Sequence, residues 1–470
     1  MSDWEAIRVA AASGAELLAA GTAPPADGPP SVMIDSRAVD VGDLFVGLRG
    51  ERSDGGAHAA EALAAGAWGV LVAPEHARDA ATSPGAGAVL SHPDPLAGLQ
   101  ALASAWRTEL GDSGARVVAV TGSTGKTSTK DILAALLGKD LSTAASPANL
   151  NTEIGLPLAI LAAAPGTQAL VLEMAMRGPG QIAELTAIAR PEIGVIVNVG
   201  PAHLELLGSL EAIAAAKAEL IAGLAPGATA IVPAGERLLA PHLRADLNIV
   251  TFGEGGDVRL AGREEDGRVR IDAGGETIKL QLSFSQAHNL SNLLAAVAVA
   301  RALGLAPAGR LDVTFSAMRG QRRELPSGAL LIDDCYNANP MSMRAAIDDL
   351  AATAAGRRVA VLGDMLELGP ESQALHRELG AHVRERGVEL LVSVGPLAAG
   401  IAEVFDGESI SLPDAAAAAE RVPGLLRAGD TVLLKGSRGV GLERVTRALD
   451  AVEPTDPAAA LSGRSAAGQS

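Results

Sequence analysis

The clearest chemical signal in the chain is residues 120–128 (VTGSTGKTS), which begin at the last residue of the apolar run VVAV. Glycines let backbone N–H groups surround phosphate oxygens, and the N-terminus of a following helix adds positive potential. Lys126 can reach the terminal phosphates of a nucleotide, and Thr127 offers a hydroxyl to Mg²⁺. Val120 stands where the general phosphate loop has its first glycine, so this is a shorter variant. The flanking strand and helix favour a phosphate site over a Gly-Ser turn with an ordinary exposed lysine.

Three more residues follow apolar strands, or lie on the next helix, where an open α/β sheet gathers its ligands. Glu173 ends the run ALVLE and suits a Mg²⁺ ligand, with a solvated acid as the competing interpretation. His203 follows IGVIVNVG and either binds a metal or water or has no role. Lys217 lies in an Ala-rich helix, where it either extends to solvent or supplies a functional amine. The chain has 32 Arg and only 6 Lys, which slightly favours the functional interpretation.

The second half of the chain contains further polar candidates. Asn292, in the segment HNLSN, can match an adenine edge, while the neighbouring polar residues can simply cap the helix. Arg322, in GQRRE, either clamps a transferring phosphoryl group or belongs to a solvated charged hinge. The segment DDCYNANP, with Asp334 and Asn337, crowds polar groups at the end of an apolar strand. The basic loop LKGSRG also follows an apolar strand and suits an anionic ligand. Cys335 has no local histidine partner and is expected to be a small apolar side chain.

Strands that alternate with helices must position these residues, and that alternation predicts parallel sheets with right-handed crossovers. The Gly-rich stretch 256–283 predicts a small antiparallel insertion. The last block contains four apolar strands, ALLIDD, RRVAVLGD, VELLVSVG and DTVLLKGS. We predict an α/β fold with a small N-terminal α/β domain at 1–112, a central parallel-sheet domain at 113–325, a C-terminal doubly wound domain at 326–453 and a disordered tail at 454–470.

Composition excludes several classes of protein. The chain has 470 residues and a formal net charge of −17, which opposes non-specific binding to nucleic acid. Nine aromatic residues leave little for a base-stacking platform. No run of about 18 uninterrupted apolar residues is present, and so no membrane span is expected. A single Cys, and an acidic start (MSDWEAIRVA) instead of a signal peptide, predict a reducing, cytoplasmic location.

The motifs, in order, resemble the Mur ligase superfamily of ATP-dependent amide ligases. The resemblance covers residues 34–440 and rests on the series DSR-x5-GDLFVGLRG, GSTGKTS, NLNTEIGLP, EMAMRGPGQI, NVGPAHLELLGS, AKAEL, HNLSN, DDCYNANPMSM, GDMLELG and LKGSRG. It implies the three-domain Mur ligase architecture, in which the central domain is P-loop ATPase-like and the C-terminal domain Rossmann-like. The pair DDCYNANP and GDMLELG is similar to the members that add D-alanyl-D-alanine to UDP-N-acetylmuramoyl-tripeptide, and a monomer is expected.

The resemblance also implies roles for individual residues. Lys126, His203, Lys217 and Arg322 are implied to be catalytic. The residues implied to bind ATP are Gly122, Ser123, Thr124, Gly125, Lys126, Thr127, Ser128, Asn292, Arg322 and Asp334. Two Mg²⁺ ions are implied, with the ligands Thr127, Glu173, His203 and a carbamylated Lys217. The residues implied to bind the substrates are Ser36, Arg37, Asn337, Lys435, Ser437 and Arg438.

The implied reaction consumes ATP to form an acyl phosphate on the tripeptide, which the amine of D-alanyl-D-alanine then attacks. Its products are a UDP-linked pentapeptide, ADP and phosphate. Two alternatives stay open from the sequence: another amide ligase of the same superfamily, such as a folylpolyglutamate synthase, and a regulatory protein that uses the phosphate loop only for nucleotide binding. The second alternative leaves His203 and Lys217 without a purpose.

Overall fold

The computed structural model describes residues 1, 4–21, 29, 31–51, 53–82 and 87–451. The predicted disordered tail at 454–470 therefore lies outside the described residues. The chain divides into two compact units, and three sheets form their frameworks. The described residues of the first unit lie within 1–198, 214–283 and 291–313, and those of the second within 199–213, 284–290 and 314–451.

The first unit begins with a five-stranded sheet in the order β1-β5-β4-β3-β2. Strands β2 to β5 are parallel, and β1 pairs antiparallel with β5 at the edge. The strands are β1 Glu16–Ala19, β2 Val32–Met33, β3 Leu44–Val46, β4 Gly69–Val72 and β5 Ala88–Ser91. The helices are α1 Ala6–Ser13, α2 Ala59–Ala64, α3 Pro74–Thr82 and α4 Pro95–Asp112. The central strands β3 and β4 are buried along their whole length, which explains their continuous apolar runs.

The second sheet has ten strands in the order β15-β14-β13-β12-β11-β10-β9-β6-β8-β7. Its strands are β6 Arg116–Thr121, β7 Thr143–Ala145, β8 Ala169–Glu173, β9 Ile193–Ile196, β10 Thr229–Pro233, β11 Asn248–Phe252, β12 Val258–Arg263, β13 Val269–Ala273, β14 Glu276–Leu282 and β15 Gly309–Leu311. The helices along this stretch are α5 Lys126–Leu137, α6 Gly155–Leu161, α7 Gln181–Ala189, α8 Leu204–Leu207, α9 Leu210–Ala222 and α10 Ala287–Ala302.

Two regions of this sheet differ in strand direction. Strands β6 to β11 are parallel, as the alternation of strands and helices predicts. Strands β12, β13 and β14 form an antiparallel ladder, which confirms the insertion predicted over 256–283. The chain runs from β6 to β7 and β8 on one side and later to β9, β10 and β11 on the other. The carboxyl end of β6 is therefore the point where the strand order reverses, and open α/β sheets bind ligands there.

The third sheet belongs to the second unit and has the order β16-β17-β21-β18-β19-β20. All its pairings are parallel except that of β16 with β17. The strands are β16 Gln321–Glu324, β17 Leu330–Asp333, β18 Arg358–Gly363, β19 Leu390–Val394, β20 Glu408–Leu412 and β21 Thr431–Lys435. The helices are α11 Pro340–Thr353, α12 Ser372–Glu385, α13 Ala399–Val404, α14 Ala415–Arg421 and α15 Glu443–Asp450.

The prediction of four strands in the last block was incomplete, because that block contributes five strands to the third sheet, and the sixth strand, β16, lies before it. The four predicted strands are β17, β18, β19 and β21, and each is almost wholly buried. The two additional strands, β16 and β20, lie at the sheet edges and contain exposed charged or polar residues. Edge strands of this kind do not produce the continuous apolar run that identifies a buried strand.

Candidate active site

The phosphate loop follows β6 at the reversal point of the second sheet. Gly122 has φ 157°, and a Cβ there would lie 3.0 Å from the Cβ of Val197. Gly125 has φ 76° and directly precedes α5. Both positions therefore require glycine for backbone geometry or space. The Nζ of Lys126, the first residue of α5, donates to the Gly122 carbonyl at 2.9 Å, so this amine lies over the loop. The 12-residue helix directs its N-terminal N–H groups toward the same loop, which favours an anionic ligand.

Asn198, which follows β9, fixes the shape of the phosphate loop. Its Oδ1 accepts from the Thr124 backbone N–H at 2.9 Å, and its Nδ2 donates to the Thr124 carbonyl at 3.1 Å. The backbone N–H of Ser123 donates to the Asn198 carbonyl at 3.1 Å. The sequence analysis missed this residue, although it lies within the quoted motif NVGPAHLELLGS. The 74 residues between Asn198 and Thr124 conceal the contact in the sequence.

Asn292 lies against the same loop. It is buried, and a Cβ at Gly125 would meet its Oδ1 at 2.7 Å and its Nδ2 at 3.2 Å. The structure thus places the amide of Asn292, a predicted ATP-binding residue, directly beside the glycine that opens α5. A larger residue at position 125 would displace this amide.

Glu173 is the last residue of β8 and is paired in register with Val120 of β6. Asn151 donates from Nδ2 to Glu173 Oε1 at 2.8 Å. The other oxygen, Oε2, is buried and has no hydrogen-bond partner, and the same holds for Oγ1 of Thr121 and Oγ1 of Thr129. Buried polar atoms normally have partners, and a carboxylate oxygen without one at a ligand-binding sheet edge suits a hard cation. Asn151 was another residue that the sequence analysis missed.

Metal-binding capacity rests on this carboxylate oxygen together with loop hydroxyls. Across the described parts of the chain, no group of three or more His, Cys, Asp or Glu side chains is arranged to hold a metal ion. Thr127, the predicted hydroxyl ligand, is buried in the first turn of α5. Magnesium is usually held by one or two carboxylates together with substrate phosphates, and the donor set of Glu173 and Thr127 fits that mode.

Lys217 lies on α9 and is 2% exposed, which makes it one of the largest fully buried side chains. Burial lowers the pKa of its amine well below the usual range, and the positive charge of Lys126 lowers the pKa further. The amine therefore has a much larger neutral fraction near pH 7 than an exposed lysine has. This finding decides against a lysine that extends to solvent, because the side chain is enclosed instead.

His203 belongs to the second unit and contacts Glu367 of the GDMLELG segment. The Nδ1 of His203 lies 2.5 Å from Glu367 Oε2, and the Glu205 backbone N–H donates to the Glu367 carbonyl at 3.1 Å. Both His203 and Glu367 have left-handed backbone conformations, with φ 60° and 63°. Strained residues of this kind persist where the surrounding contacts fix them, and they concentrate at functional sites. The sequence analysis missed Glu367, although it lies within the quoted motif GDMLELG, because 164 positions separate it from His203.

The predicted residues at the carboxyl ends of β17 and β21 form one connected group. Lys435 is buried, and its Nζ donates to Asp334 Oδ2 at 2.6 Å and to the Asn337 carbonyl at 3.0 Å. Ser437 is also buried, and its Oγ accepts from the Leu366 backbone N–H at 2.9 Å. Asn337 is exposed. The structure therefore gives Lys435 and Ser437 internal contacts that hold loops together.

Arg322, on β16, makes its described contacts with α11. Its Nη2 donates to Asp349 Oδ2 and to Thr353 Oγ1, both at 2.7 Å. Its Nε is buried and has no hydrogen-bond partner.

Cys335 is buried, and its Sγ donates to Asp333 Oδ1 at 2.9 Å. Burial raises the pKa of this thiol far above its usual range, which agrees with the expected non-nucleophilic role.

Ser36 and Arg37 lie in a short 3₁₀ turn, Ser36–Ala38, that follows β2 of the first sheet. The Arg37 side chain is 87% exposed and forms a two-point ion pair with Asp35. This hydrogen bonding lowers the pKa of Asp35 to about 2.

A search of the described residues for membrane-spanning helices finds none with the necessary length and apolar character.

Comparison with known proteins identifies this set of sheets and motifs. Residues 120–300 match the Mur ligase middle domain, and residues 318–438 match the Mur ligase, glutamate ligase domain. The chain belongs to the Mur ligase family, and within it to the UDP-N-acetylmuramoyl-tripeptide–D-alanyl-D-alanine ligases. A relative of that name from Synechocystis is 37% identical over 90% of this chain and 93% of its own length.

Solved structures of high coverage agree with this assignment. MurF from Acinetobacter baumannii is 29% identical, has a TM-score of 0.82 and covers 95% of this chain and 98% of its own. The MurF ligase from Thermotoga maritima, solved in complex with ADP, is 33% identical with a TM-score of 0.76. That alignment covers 89% of this chain and 97% of the relative's chain. The α/β Mur ligase fold is therefore confirmed.

Proposed function

We propose that this chain joins D-alanyl-D-alanine to UDP-N-acetylmuramoyl-tripeptide at the expense of ATP. The products are the UDP-linked pentapeptide precursor of peptidoglycan, ADP and phosphate. The observation that carries the proposal is the phosphate loop at the reversal point of the second sheet, with the unpartnered Glu173 oxygen on the neighbouring strand. Membership in a family whose relatives bear this activity in their names supports the choice of substrates.

The phosphate loop binds the triphosphate of ATP. The backbone N–H groups of Gly122 and Gly125, and the N-terminus of α5 with Lys126, Thr127 and Ser128, form an anion site. Ser123 and Thr124 complete the proposed loop, and their backbone N–H groups donate to Asn198, which holds the loop in shape. Lys126 brings positive charge to the terminal phosphates, and the contact between Asn292 and Gly125 supports a place for Asn292 in nucleotide binding. Arg322 and Asp334 are also proposed as ATP-binding residues.

The donor atoms of the first unit fit Mg²⁺. Glu173 Oε2 and the Thr127 hydroxyl would hold one ion. A carbamate on Lys217 of the same unit, and His203 of the second unit, are proposed as further Mg²⁺ ligands. When bound, the ions supply positive charge that offsets the phosphate oxygens of ATP. The role of the protein is to keep these ligands in place: Asn151 holds Glu173 at 2.8 Å, and Glu367 holds the Nδ1 of His203. A carboxylate on the second ring nitrogen is the usual way to orient a ligating imidazole.

The reaction brings together two anions, a peptide carboxylate and a triphosphate. A carboxylate oxygen of the tripeptide attacks the γ-phosphorus, ADP leaves, and an acyl phosphate forms. The amine of D-alanyl-D-alanine then attacks the acyl carbon, and the resulting tetrahedral intermediate expels phosphate. Lys126 and Arg322 offset the charge that accumulates on the transferring phosphoryl group. Lys217 is proposed as the fourth catalytic residue, because burial lowers the pKa of its amine and so favours the deprotonated form that carbamylation requires.

The remaining proposed roles concern the two peptide substrates. Ser36 and Arg37 of the first sheet bind the UDP-sugar nucleotide, for which the exposed Arg37 supplies a cation. Asn337, Lys435, Ser437 and Arg438 form the acceptor side, where Lys435 acts by holding the loop that carries Asn337. We also propose three domains at 1–112, 113–325 and 326–453, a monomer, and a cytoplasmic location, where ATP and UDP-linked substrates occur.

Acceptor-dependent phosphate release tests the proposed function. Purified protein is incubated with ATP, Mg²⁺ and UDP-N-acetylmuramoyl-tripeptide, with or without D-alanyl-D-alanine, and phosphate is measured. We expect release only when both peptide substrates are present, and no release when L-glutamate or meso-diaminopimelate replaces the dipeptide. Release with one of those amino acids would identify a different amide ligase, and acceptor-independent hydrolysis would indicate a nucleotide-switched protein.

A further inference from the structure

The one tyrosine of the chain, Tyr336, carries two arginine side chains on its ring. The Cζ of Arg319 lies 3.9 Å from the ring centroid, and the Cζ of Arg438 lies 5.9 Å from it. Both distances end at one centroid, so the two guanidinium carbons are at most about 9.8 Å apart, the sum of the two. Attraction to one aromatic ring thus holds two positive charges within about 9.8 Å of each other, although they repel each other.

The backbone around Arg319 is built onto the end of β17. The Tyr336 backbone N–H donates to the Met318 carbonyl at 3.3 Å, and the Gly320 N–H donates to the Asp333 carbonyl at 2.8 Å. Met318 has φ 59°, a left-handed conformation that is strained for a residue with a side chain. The hydrogen bonds that fix this strained turn also fix the position of Arg319. The Arg438 Nη1 donates to the Met318 Sδ at 3.4 Å, a weak acceptor.

Neither guanidinium has a carboxylate partner among the described residues. Nearby arginines of the same unit do: Arg322 pairs with Asp349, and Arg323 pairs with Asp450. The chain has 55 acidic residues and a net charge of −17, so two adjacent arginines without an acidic partner form a local positive site. An anionic group that accepts hydrogen bonds from both guanidinium groups would offset their repulsion.

We propose that Arg319, Tyr336 and Arg438 bind the terminal carboxylate of the acceptor dipeptide. This inference rests on the proposed function, which assigns the triphosphate to the phosphate loop and the UDP group to the first sheet. The dipeptide carboxylate is then the anionic group of the acceptor that still needs a partner. A planar carboxylate matches the hydrogen-bonding fork of arginine, and Tyr336 fixes both forks with little conformational freedom. Tyr336 also lies in the segment that carries Asn337, on the proposed acceptor side.

The test compares D-alanyl-D-alanine with its C-terminal amide, D-alanyl-D-alaninamide, as acceptors for the whole protein. The amide keeps the attacking amine and both methyl groups but loses the negative charge. We expect wild-type kcat/KM to fall on the order of 100-fold with the amide, because charge-assisted hydrogen bonds to both arginines weaken. Arg319→Met and Arg438→Met each raise the KM for the dipeptide roughly 10- to 100-fold, and the KM values for ATP and UDP-N-acetylmuramoyl-tripeptide stay within about twofold.

The ratio of kcat/KM between acid and amide does not depend on the fraction of folded enzyme. We expect this ratio to fall to about threefold or less in the double variant, because the charge of the acceptor no longer matters. Tyr336→Ala lowers the ratio and Tyr336→Phe preserves it, since a phenyl ring still stacks with both arginines. Arg444→Met, at an exposed position of α15, serves as the control and leaves the ratio unchanged.

Three results would overturn the inference. Equal use of acid and amide by wild-type protein refutes the carboxylate site while leaving the ligase function intact. An increase in the KM for ATP or for the UDP substrate, instead of that for the dipeptide, assigns the arginine pair to another anion, such as a carboxylate of the tripeptide. Absence of turnover with either acceptor refutes the proposed function and the inference together.

Discussion

Replacement of Lys217 by arginine tests how the buried amine works. Lys217 is enclosed on α9, and both its burial and the charge of Lys126 lower its pKa. A lysine in that position responds by releasing its proton, whereas an arginine stays protonated. Lys217→Arg therefore places a permanent charge where burial and the positive charge of Lys126 disfavour one. It also removes the nucleophile that forms a carbamate with CO₂, because that reaction needs the lone pair of a neutral amine.

The expected magnitude follows from burial. An unpaired charge enclosed by protein costs several kcal/mol, and we expect Lys217→Arg to lower the free energy of unfolding by about 3 kcal/mol. For a cooperative unit of 150–250 residues this corresponds to a decrease in Tm of roughly 6–12 °C. Lys217→Met has similar length and no charge, so its Tm stays within about 2 °C of wild type or rises. Both variants lose on the order of 100- to 1,000-fold in kcat, the usual loss when one electrostatic group of an active site is removed.

The assay combines turnover, thermal unfolding and a direct view of the modification. Phosphate release gives kcat, calorimetry gives Tm, and ¹³C NMR in ¹³C-bicarbonate detects a carbamate carbon in wild-type protein that is absent from both variants. Lys139→Arg is the matched control, because the exposed Lys139 amine donates only to backbone carbonyls of residues 308 and 310, which a guanidinium can also do. It should leave kcat, Tm and the carbamate signal unchanged.

Near-normal turnover of Lys217→Arg without added CO₂ would refute the reasoning that a deprotonated Lys217 amine must form a carbamate. An unchanged Tm in the same variant would refute the argument from burial. Loss of turnover in Lys217→Met at an unchanged Tm separates the chemical role from the stability of the fold.

Three further predictions concern the phosphate loop and the third sheet. Gly125→Ala places a Cβ 2.7 Å from Asn292 Oδ1 and should raise the KM for ATP about 10-fold or more. Gly166→Ala is the control: with φ 83° it adds similar backbone strain, but its Cβ meets open space, so the KM for ATP should not change. Asn198→Ala removes the hydrogen bonds to Thr124, and we expect ATP affinity measured by calorimetry to fall roughly 10-fold; unchanged affinity would show that the loop holds its shape without this amide. His376 is buried, and its Nε2 accepts from the Met365 N–H at 2.9 Å. Burial lowers the pKa of this imidazole in the folded protein, so below about pH 6.5 the unfolded chain binds more protons than the folded chain. The free energy of unfolding therefore decreases as the pH is lowered. The urea midpoint should therefore drop between pH 7.5 and 5.5 in wild type and less in His376→Gln, and equal drops would contradict this explanation.

The sequence predicted the parallel core of the fold because its strands are buried on both faces. Strands β6, β8 and β9 are continuous apolar runs, and the loop after β6 carries a recognisable phosphate motif. Strand β20 was missed because half-exposed and polar residues alternate along it at a sheet edge. In both cases the degree of burial, rather than strand propensity, decided whether the sequence pattern was visible.

The candidate site was predictable in its residue types but not in its contacts. Lys217 is an example. Because an Ala-rich helix has no clear polar face, the sequence could not decide whether the Lys217 side chain points to solvent or to the interior. Only the packing in the structure shows that its amine is enclosed. The hydrogen bonds of Asn198 to Thr124 and of Glu367 to His203 join residues 74 and 164 positions apart. Such contacts depend on which strands become neighbours, and local spacing carries no information about that order.

The central claim is that the chain activates a peptide carboxylate as an acyl phosphate. The most direct measurement uses UDP-N-acetylmuramoyl-tripeptide labelled with ¹⁸O at both oxygens of the reacting carboxylate, together with ATP, Mg²⁺ and D-alanyl-D-alanine. If the carboxylate oxygen attacks the γ-phosphorus and the amine then displaces phosphate from the acyl carbon, mass spectrometry finds one ¹⁸O atom in each released phosphate. Released phosphate without ¹⁸O, alongside formation of the pentapeptide, would contradict the proposed reaction.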